Sequence, residues 1–141
     1  MFLLDTDHVT ILQRQTGPEY VRLAARVGQH PQANFFVSIV TVHEQFLGWN
    51  NYLSRARTTP DVVKGYTKFH QAFTAFHAAQ VVPFDQAAGV ELDSLHRQRV
   101  RVGVMDLRIA AIALARNLVV LTGNLRHFRK VPGLRGQDWT V

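Results

Sequence analysis

Short apolar runs and amphipathic stretches alternate along this chain. Phe2 to Leu4 is an apolar run broken by Asp5, and it reads as a strand followed by a helix to about Gln15. After the "TGPE" break, "YVRLAARV" has helical spacing; "NFFVSIV" is β-branched and aromatic, suited to a buried strand, and "TVHEQFLGW" starts a second long helix. Thr59, Pro60 and Asp61 give a further helix start, with a capping hydroxyl, proline in the first turn and an acid near the positive end. In that helix Tyr66, Phe69, Phe73 and Phe76 are spaced three, four and three apart. They form one aromatic stripe, read as core or else as a dimer or partner groove. "VVPF" is a third strand, and Asp85 caps a helix from Gln86 to about Gln98. "LRIAAIALAR", preceded by Gly103, is helical, "LVVLT" is a buried strand, and "DWTV" is a candidate edge strand.

Strands alternating with helices in this way predict an α/β fold, a parallel sheet with helices on both faces. No repeat, low-complexity tract or linker divides residues 1–141, so one domain is expected, long enough to bury a core without disulfides or a structural metal. The absence of cysteine excludes disulfides, thiolate metal sites and thiol nucleophiles. No stretch approaches the roughly 18 to 20 apolar residues that cross a bilayer, and the N-terminus has no basic region leading into a long apolar run. A cytoplasmic protein with no membrane partner is the expectation.

Charge changes the picture more than composition does. Residues 1–96 hold seven Lys or Arg against eight Asp or Glu, whereas residues 97–141 hold nine basic residues against Asp106 and Asp138. The whole excess of +6 therefore belongs to the last third. Arginine supplies 13 of the 16 cations, and its planar fork matches phosphate oxygens. A polyanion such as nucleic acid is the natural partner, with a generic solubilising surface as the alternative.

Ligands of open parallel sheets bind beyond the carboxyl ends of the strands, near a switch in strand order. Asp5, Thr6 and Asp7 follow the first strand, Glu44 lies in the helix after the second, Asp106 opens the helix before the fourth, and Thr122 and Asn124 follow the fourth. Each has an ordinary reading alone. Asp5 would cap a helix, Glu44 would close a capping box with Thr41, Asp106 would meet a helix dipole, and Asn124 would be a turn residue in "TGN". Together they place three carboxylates and an amide at one edge. Carboxylates a few Å apart cannot all ionise cheaply. A hard divalent cation resolves that conflict, and oxygen ligands point to Mg²⁺ or Mn²⁺. With a basic last third, such a pocket suggests phosphodiester hydrolysis.

"FLLDTD", "VSIVTVHEQFLG", "GVMDLRIAAIALARNLVVLT" and "GNLRHFRKVPGLRGQDW", in this order, resemble the PIN-domain ribonucleases, in particular the VapC-type toxins of bacterial toxin and antitoxin pairs. The likeness spans the whole chain. It implies a three-layer α/β/α sandwich around four or five mainly parallel strands, and a metal-dependent endoribonuclease that leaves a 5′-phosphate and a 3′-hydroxyl. It maps Asp5, Glu44 and Asp106 onto the acidic metal ligands, with Thr6 and Thr122 as hydroxyl supports. Asn124 stands where the family often has a second aspartate, which adds no charge and weakens the case for a tightly held second metal. Arg126, Arg129, Lys130 and Arg135 are the candidates for gripping RNA. An acidic antitoxin and a homodimer, the latter through the aromatic helix, are implied by the family. Asp7 is expected to be a first-turn helix acid, at most a contributor outside the metal ligands, and His8, His43 and His127 are not read as catalytic, packing histidines being common.

Two other readings compete. "FLLDTDHV" also fits the strand and D-x-D of haloacid-dehalogenase-type phosphatases, with Asp5 as nucleophile and Asp7 as acid, though the only lysines to serve it are Lys64, Lys68 and Lys130, and "GVMDLRIAA" has one acid where two are wanted. A catalytically silent module that binds nucleic acid or protein is the non-enzymatic alternative.

Overall fold

The computed structural model describes residues 1–141. Its centre is a five-stranded sheet in the order β3-β2-β1-β4-β5, every neighbouring pair parallel. The chain runs through β1 (Phe2–Leu4), α1 (Thr6–Arg14), α2 (Gly17–Val27), a 3₁₀ turn (Gln32–Asn34), β2 (Phe35–Ser38), α3 (Ile39–Ser54) and α4 (Thr59–Ala78). It continues through β3 (Val81–Val82), α5 (Gln86–Arg97), α6 (Val104–Arg116), β4 (Val119–Leu121), α7 (Leu125–Phe128) and β5 (Arg135–Gln137). The chain builds β1, β2 and β3 outward to one side and then crosses back to lay β4 against β1. The switch in strand order therefore falls between β1 and β4, and the carboxyl ends beside such a switch are where open parallel sheets bind ligands.

Both faces of the sheet are covered, and the period of two along each strand shows it. Leu3 and Val120 point into a core made with α5, α6 and α7, around Leu95, Ile109, Ile112 and Phe128. Their neighbours Leu4 and Leu121 point the other way, toward Val9, Leu23, Ala72, Phe76 and Trp139 from α1, α2, α4 and the C-terminal segment. The expected α/β/α sandwich is thus present, with five strands and no antiparallel member. No helix is long and apolar enough to cross a membrane.

Local caps set most of the boundaries. Asp85 accepts from the Ala88 N–H and starts α5 as expected. Thr58, one residue earlier than the sequence suggested, caps α4 by accepting from Asp61 N–H. Ile39 and Val40, which look like strand residues, belong to α3. Ser38 accepts from the Thr41 N–H and turns the chain there. Gly17 and Pro18, read as a break, lie in the first turn of α2; the interruption is Gln15, left-handed at φ 55°.

Two expectations are corrected. The aromatic stripe of α4 divides: Phe76 is buried and Phe69 half-buried, both against Phe46 of α3, while Tyr66 and Phe73 are 62% and 56% exposed. The edge strand is Arg135–Gln137, not "DWTV". Residues 138–141 form instead a strap across α2. Arg26 donates to the carbonyls of Asp138 and Val141 at 3.1 and 2.9 Å, and Arg22 donates to that of Thr140. Trp139 of the strap joins Phe2, Phe35 and His30 in a four-ring cluster at the amino ends of β1 and β2, with centroids 4.8 to 6.1 Å apart.

Candidate active site

The carboxyl ends of β1 and β4 meet through one backbone bond, the Asp5 N–H to the Leu121 carbonyl at 2.9 Å. Beyond it the Asp5 side chain, only 6% exposed, divides its two oxygens. Oδ1 accepts from the Thr6 N–H at 2.8 Å, the helix-cap role, and Oδ2 accepts from the Thr122 hydroxyl at 2.8 Å. Burial pushes the Asp5 pKa up to about 7, and the charges of Asp7 and Asp106 add to that rise. The hydrogen bonds from Thr122 and Thr6 hold it back. The cap bond to Thr6 and the buried bond from Thr122 thus coexist in one side chain.

Glu44 takes no part in a capping box, because Ser38 has that position. A line of hydroxyls leads to it: Ser38 donates to Thr41 Oγ1 at 3.3 Å, Thr41 Oγ1 lies 3.0 Å from Thr6 Oγ1, and Thr6 donates to Glu44 Oε1 at 2.8 Å. Ser38 and Thr41 are wholly buried, and their order along the line fixes Thr6 as the donor to the carboxylate. The α3 face around Glu44 is less enclosed than its apolar neighbours suggested, since Val40 is buried but Leu47 is 43% exposed.

Asp106 sits in the first turn of α6, just inside Gly103. Its Oδ2 is 3.3 Å from His127 Nδ1 and a long 3.5 Å from Asn124 Nδ2, and these two nitrogens are 2.8 Å apart. Asn124 is placed from below, where its N–H donates to Thr122 Oγ1 at 2.9 Å. Thr122 thus links Asp5 to the Asn124 segment, with its own N–H bound to the Gln137 carbonyl of β5.

The expected residues fall into linked pairs: Asp5 with Thr122, Glu44 with Thr6, Asp106 with Asn124. No three His, Asp or Glu side chains converge into a cluster that holds a metal ion by themselves. Arg126, on α7, and Arg129 and Lys130, just after it, are exposed and form no ion pair; of the arginines only Arg116 meets a carboxylate, Asp85 at 3.2 Å. Arg135 is not brought to this edge. It opens β5 opposite Val119, at the amino end of the sheet, and donates to the carbonyl and side chain of Asn117 at 3.1 and 3.0 Å.

Two features went unread in the sequence. His127 stands against Asp106, and its spacing of three from Asn124 in a short helix was the available signal. Asp7 is no mere first-turn acid, since its Oδ2 accepts from the Gly123 N–H at 2.8 Å and its Oδ1 from the His8 N–H and ring Nδ1 at 2.6 and 3.0 Å. Burial works to raise the Asp7 pKa, but the hydrogen bond from the His8 ring and the backbone donors outweigh it and hold the carboxyl below the usual range. His8 itself is fully buried, as a packing residue should be, and its Nε2 accepts from the Trp139 N–H at 3.3 Å.

No family model matches the chain. Over 142 residues it is 29% identical to the tRNA(fMet)-specific endonuclease VapC of Salmonella typhimurium, covering 98% of this chain and 97% of that one. It is 28% identical to the protein of the same name from Shigella flexneri, covering 99% and 98%. Among solved structures, DNA-bound VapBC from Salmonella typhimurium matches with a TM-score of 0.77 and 25% identity, over 98% of this chain and 97% of that chain. The resemblance to VapC-type PIN ribonucleases carried by the four motifs is borne out along the whole chain.

Proposed function

We infer that this chain is a VapC-type endoribonuclease that cleaves RNA phosphodiester bonds with a divalent metal, Mg²⁺ or Mn²⁺, at the carboxyl ends of β1 and β4. The observation that carries the reading is the buried Asp5 carboxyl beside Asp106, with a pKa near 7, at the strand ends of a chain similar to VapC endonucleases over its full length. A carboxylate kept ionised there at neutral pH needs a compensating cation.

The donor set fits that cation. Asp5 and Asp106 would hold it, with Glu44 acting through bound water; Mg²⁺ commonly takes one or two carboxylates and keeps several waters for the rest, so a site without a complete protein cage suits it. When bound, the metal supplies a water of lowered pKa and neutralises charge growing on a phosphoryl oxygen. The chain's own groups orient the reaction. Thr122 fixes the Asp5 oxygen that it bonds, Thr6 fixes Glu44 as acceptor for a water proton, and Asn124 with His127 steadies Asp106. Arg126, Arg129 and Lys130 bind the RNA backbone beside this edge, with an affinity that falls as salt rises.

The solved relatives are toxin and antitoxin complexes, and an acidic antitoxin is the partner proposed for this basic chain. A homodimer through the exposed aromatics of α4, Tyr66 and Phe73, is part of the same proposal. The phosphatase alternative finds no support among the comparisons. It also asks Asp7 to donate a proton, whereas both Asp7 oxygens accept hydrogen bonds and the carboxyl is held ionised.

Cleavage of total RNA by the purified protein, Asp5→Asn and Asp106→Asn, each with Mg²⁺, Mn²⁺ or EDTA, tests this reading. Metal-dependent cleavage by the unaltered chain alone is expected. Equal cleavage by all three, or full activity in EDTA, overturns it.

A further inference from the structure

Asp7 lies outside the metal-holding set, yet it is the most heavily bonded carboxylate of the carboxyl-end edge. It connects three parts of the chain that are remote in sequence: the start of α1, the turn after β4, and the C-terminal strap. Both its oxygens accept from neighbouring N–H groups, so its geometry is set from two sides. On one side stands the His8 ring. The Trp139 N–H donates to Nε2, which leaves Nδ1 as the protonated nitrogen and therefore as a donor to Asp7. On the other side stands Gly123. A Cβ there would stand 3.0 Å from Asp7 Oδ2, tighter than ordinary van der Waals contact, so a side chain at position 123 would push the carboxylate and the turn apart by a few tenths of an ångström.

The Gly123 peptide is flanked by the two residues that reach the site. Thr122 donates to Asp5, and Asn124 reaches Asp106 and His127. The turn between them has one side-chain anchor at Gly123, the Asp7 carboxylate. We propose that Asp7 is a positioning residue for the nuclease reaction, acting through the Gly123 N–H to set the Thr122 hydroxyl on Asp5 and the Asn124 amide on Asp106, with His8 holding Asp7 from behind. The proposal rests on the endoribonuclease reading for its kinetic consequence; its structural half does not.

Asp7→Asn is close to isosteric but has one accepting oxygen; the two His8 donors, backbone and ring, claim it, and the amide nitrogen left on the other arm releases Gly123. With RNA and Mg²⁺, kcat should fall by about tenfold to a hundredfold, the scale of a small misplacement, while KM stays within about twofold, because the proposed RNA grip on α7 is untouched. Asn124→Ala should lose a similar factor, and the double variant should be no worse than the poorer single one, since both remove one arrangement. Amide hydrogen exchange is measured on the same proteins without RNA. The Gly123 and Asn124 amides should exchange at least about tenfold faster in Asp7→Asn, with the α6 amides unchanged as the control for folding. Gly123→Ala should reproduce the kinetic loss with Asp7 intact. An unchanged kcat, a change confined to KM, losses that multiply in the double variant, or unchanged exchange at Gly123 each overturns the proposal. If the unaltered protein cleaves no RNA, the nuclease reading has failed, and the exchange measurement still decides what Asp7 holds.

Discussion

The two ends of the sheet are built on opposite principles. At the amino end Phe2, His30, Phe35 and Trp139 stack and tilt against one another, and Arg22 and Arg26 hold the strap that brings Trp139 in. Nearly everything there is apolar contact, with the charges turned outward to backbone carbonyls. At the carboxyl end the same strands finish in Asp5, Ser38 and Thr122, all buried and polar, with Asp7 and Asp106 close by. No buried side-chain oxygen or nitrogen there lacks a hydrogen-bond partner, so the strain is one of charge and not of missing bonds. One end favours folding and the other works against it. The difference is what a binding edge looks like when fold and function compete for one sheet.

Substitutions can be ranked by how far they break that contrast. The largest effect is expected from Asp5→Asn, which keeps the shape and removes the charge: cleavage should fall about 10³-fold or more, roughly 4 kcal/mol of barrier. In the same variant thermal stability at pH 8 without metal should rise, as scanning calorimetry would show. Next comes pH. The folded pKa of Asp5 lies near 7 against 3.8 unfolded, so the folded state binds the extra proton between those values, and stability falls as pH rises from about 4 to 7 and is level above. The swing in the metal-free protein should approach about 4 kcal/mol at most, and Mg²⁺ should reduce it. Asp7, with its pKa lowered, runs in the opposite sense; its contribution is present above the unfolded pKa and lost as pH falls through the folded one. Urea titrations from pH 4 to 8 with and without Asp5→Asn isolate the Asp5 swing, because the Asp7 window lies below that range.

At the aromatic end, Trp139→Ala should cost about 3 kcal/mol in urea unfolding, with no metal-dependent part. Between the two ends stands Thr122→Val, which removes a hydroxyl that donates to Asp5 and accepts from the Asn124 N–H. A loss of about 1 to 2 kcal/mol is expected in unfolding, together with reduced cleavage. Smallest of all is Arg135→Ala. Filter binding over a salt series should show RNA affinity close to that of the unaltered chain, whereas Arg129→Ala should lower the salt slope by roughly 1.

How much of this could be read from the chain follows the same division. Strands β1, β2 and β4 announce themselves because both faces are covered and each is a continuous apolar run. Asp85 declares α5 because a cap is a local device. β5 could not be read: Arg135, Gly136 and Gln137 are all exposed, and the strand exists only through backbone bonds to β4. Residues 138–141, expected as an edge strand, are held instead by α2, whose Arg26 donates to the carbonyls of Asp138 and Val141 across 112 and 115 residues. Asp5, Glu44, Asp106 and Asn124 were found because the ends of parallel strands are where ligands gather. The Asp7 bond to Gly123 spans 116 residues and depends on how closely a bare backbone can approach, which no residue pattern encodes.

The position of β1 has a consequence in time. It is the first strand to be synthesised, yet it lies in the middle of the sheet, and its neighbour β4 follows more than 110 residues later. A growing chain that has reached the end of α5 holds Asp5 and Glu44, but neither Asp106 nor the threonine that bonds Asp5. The edge becomes complete only when β5 supplies its carbonyl to Thr122 and the strap supplies its N–H to His8. In a chain assembled in this order the Asp5 carboxylate waits for the residues of β4, β5 and the strap before its surroundings are in place.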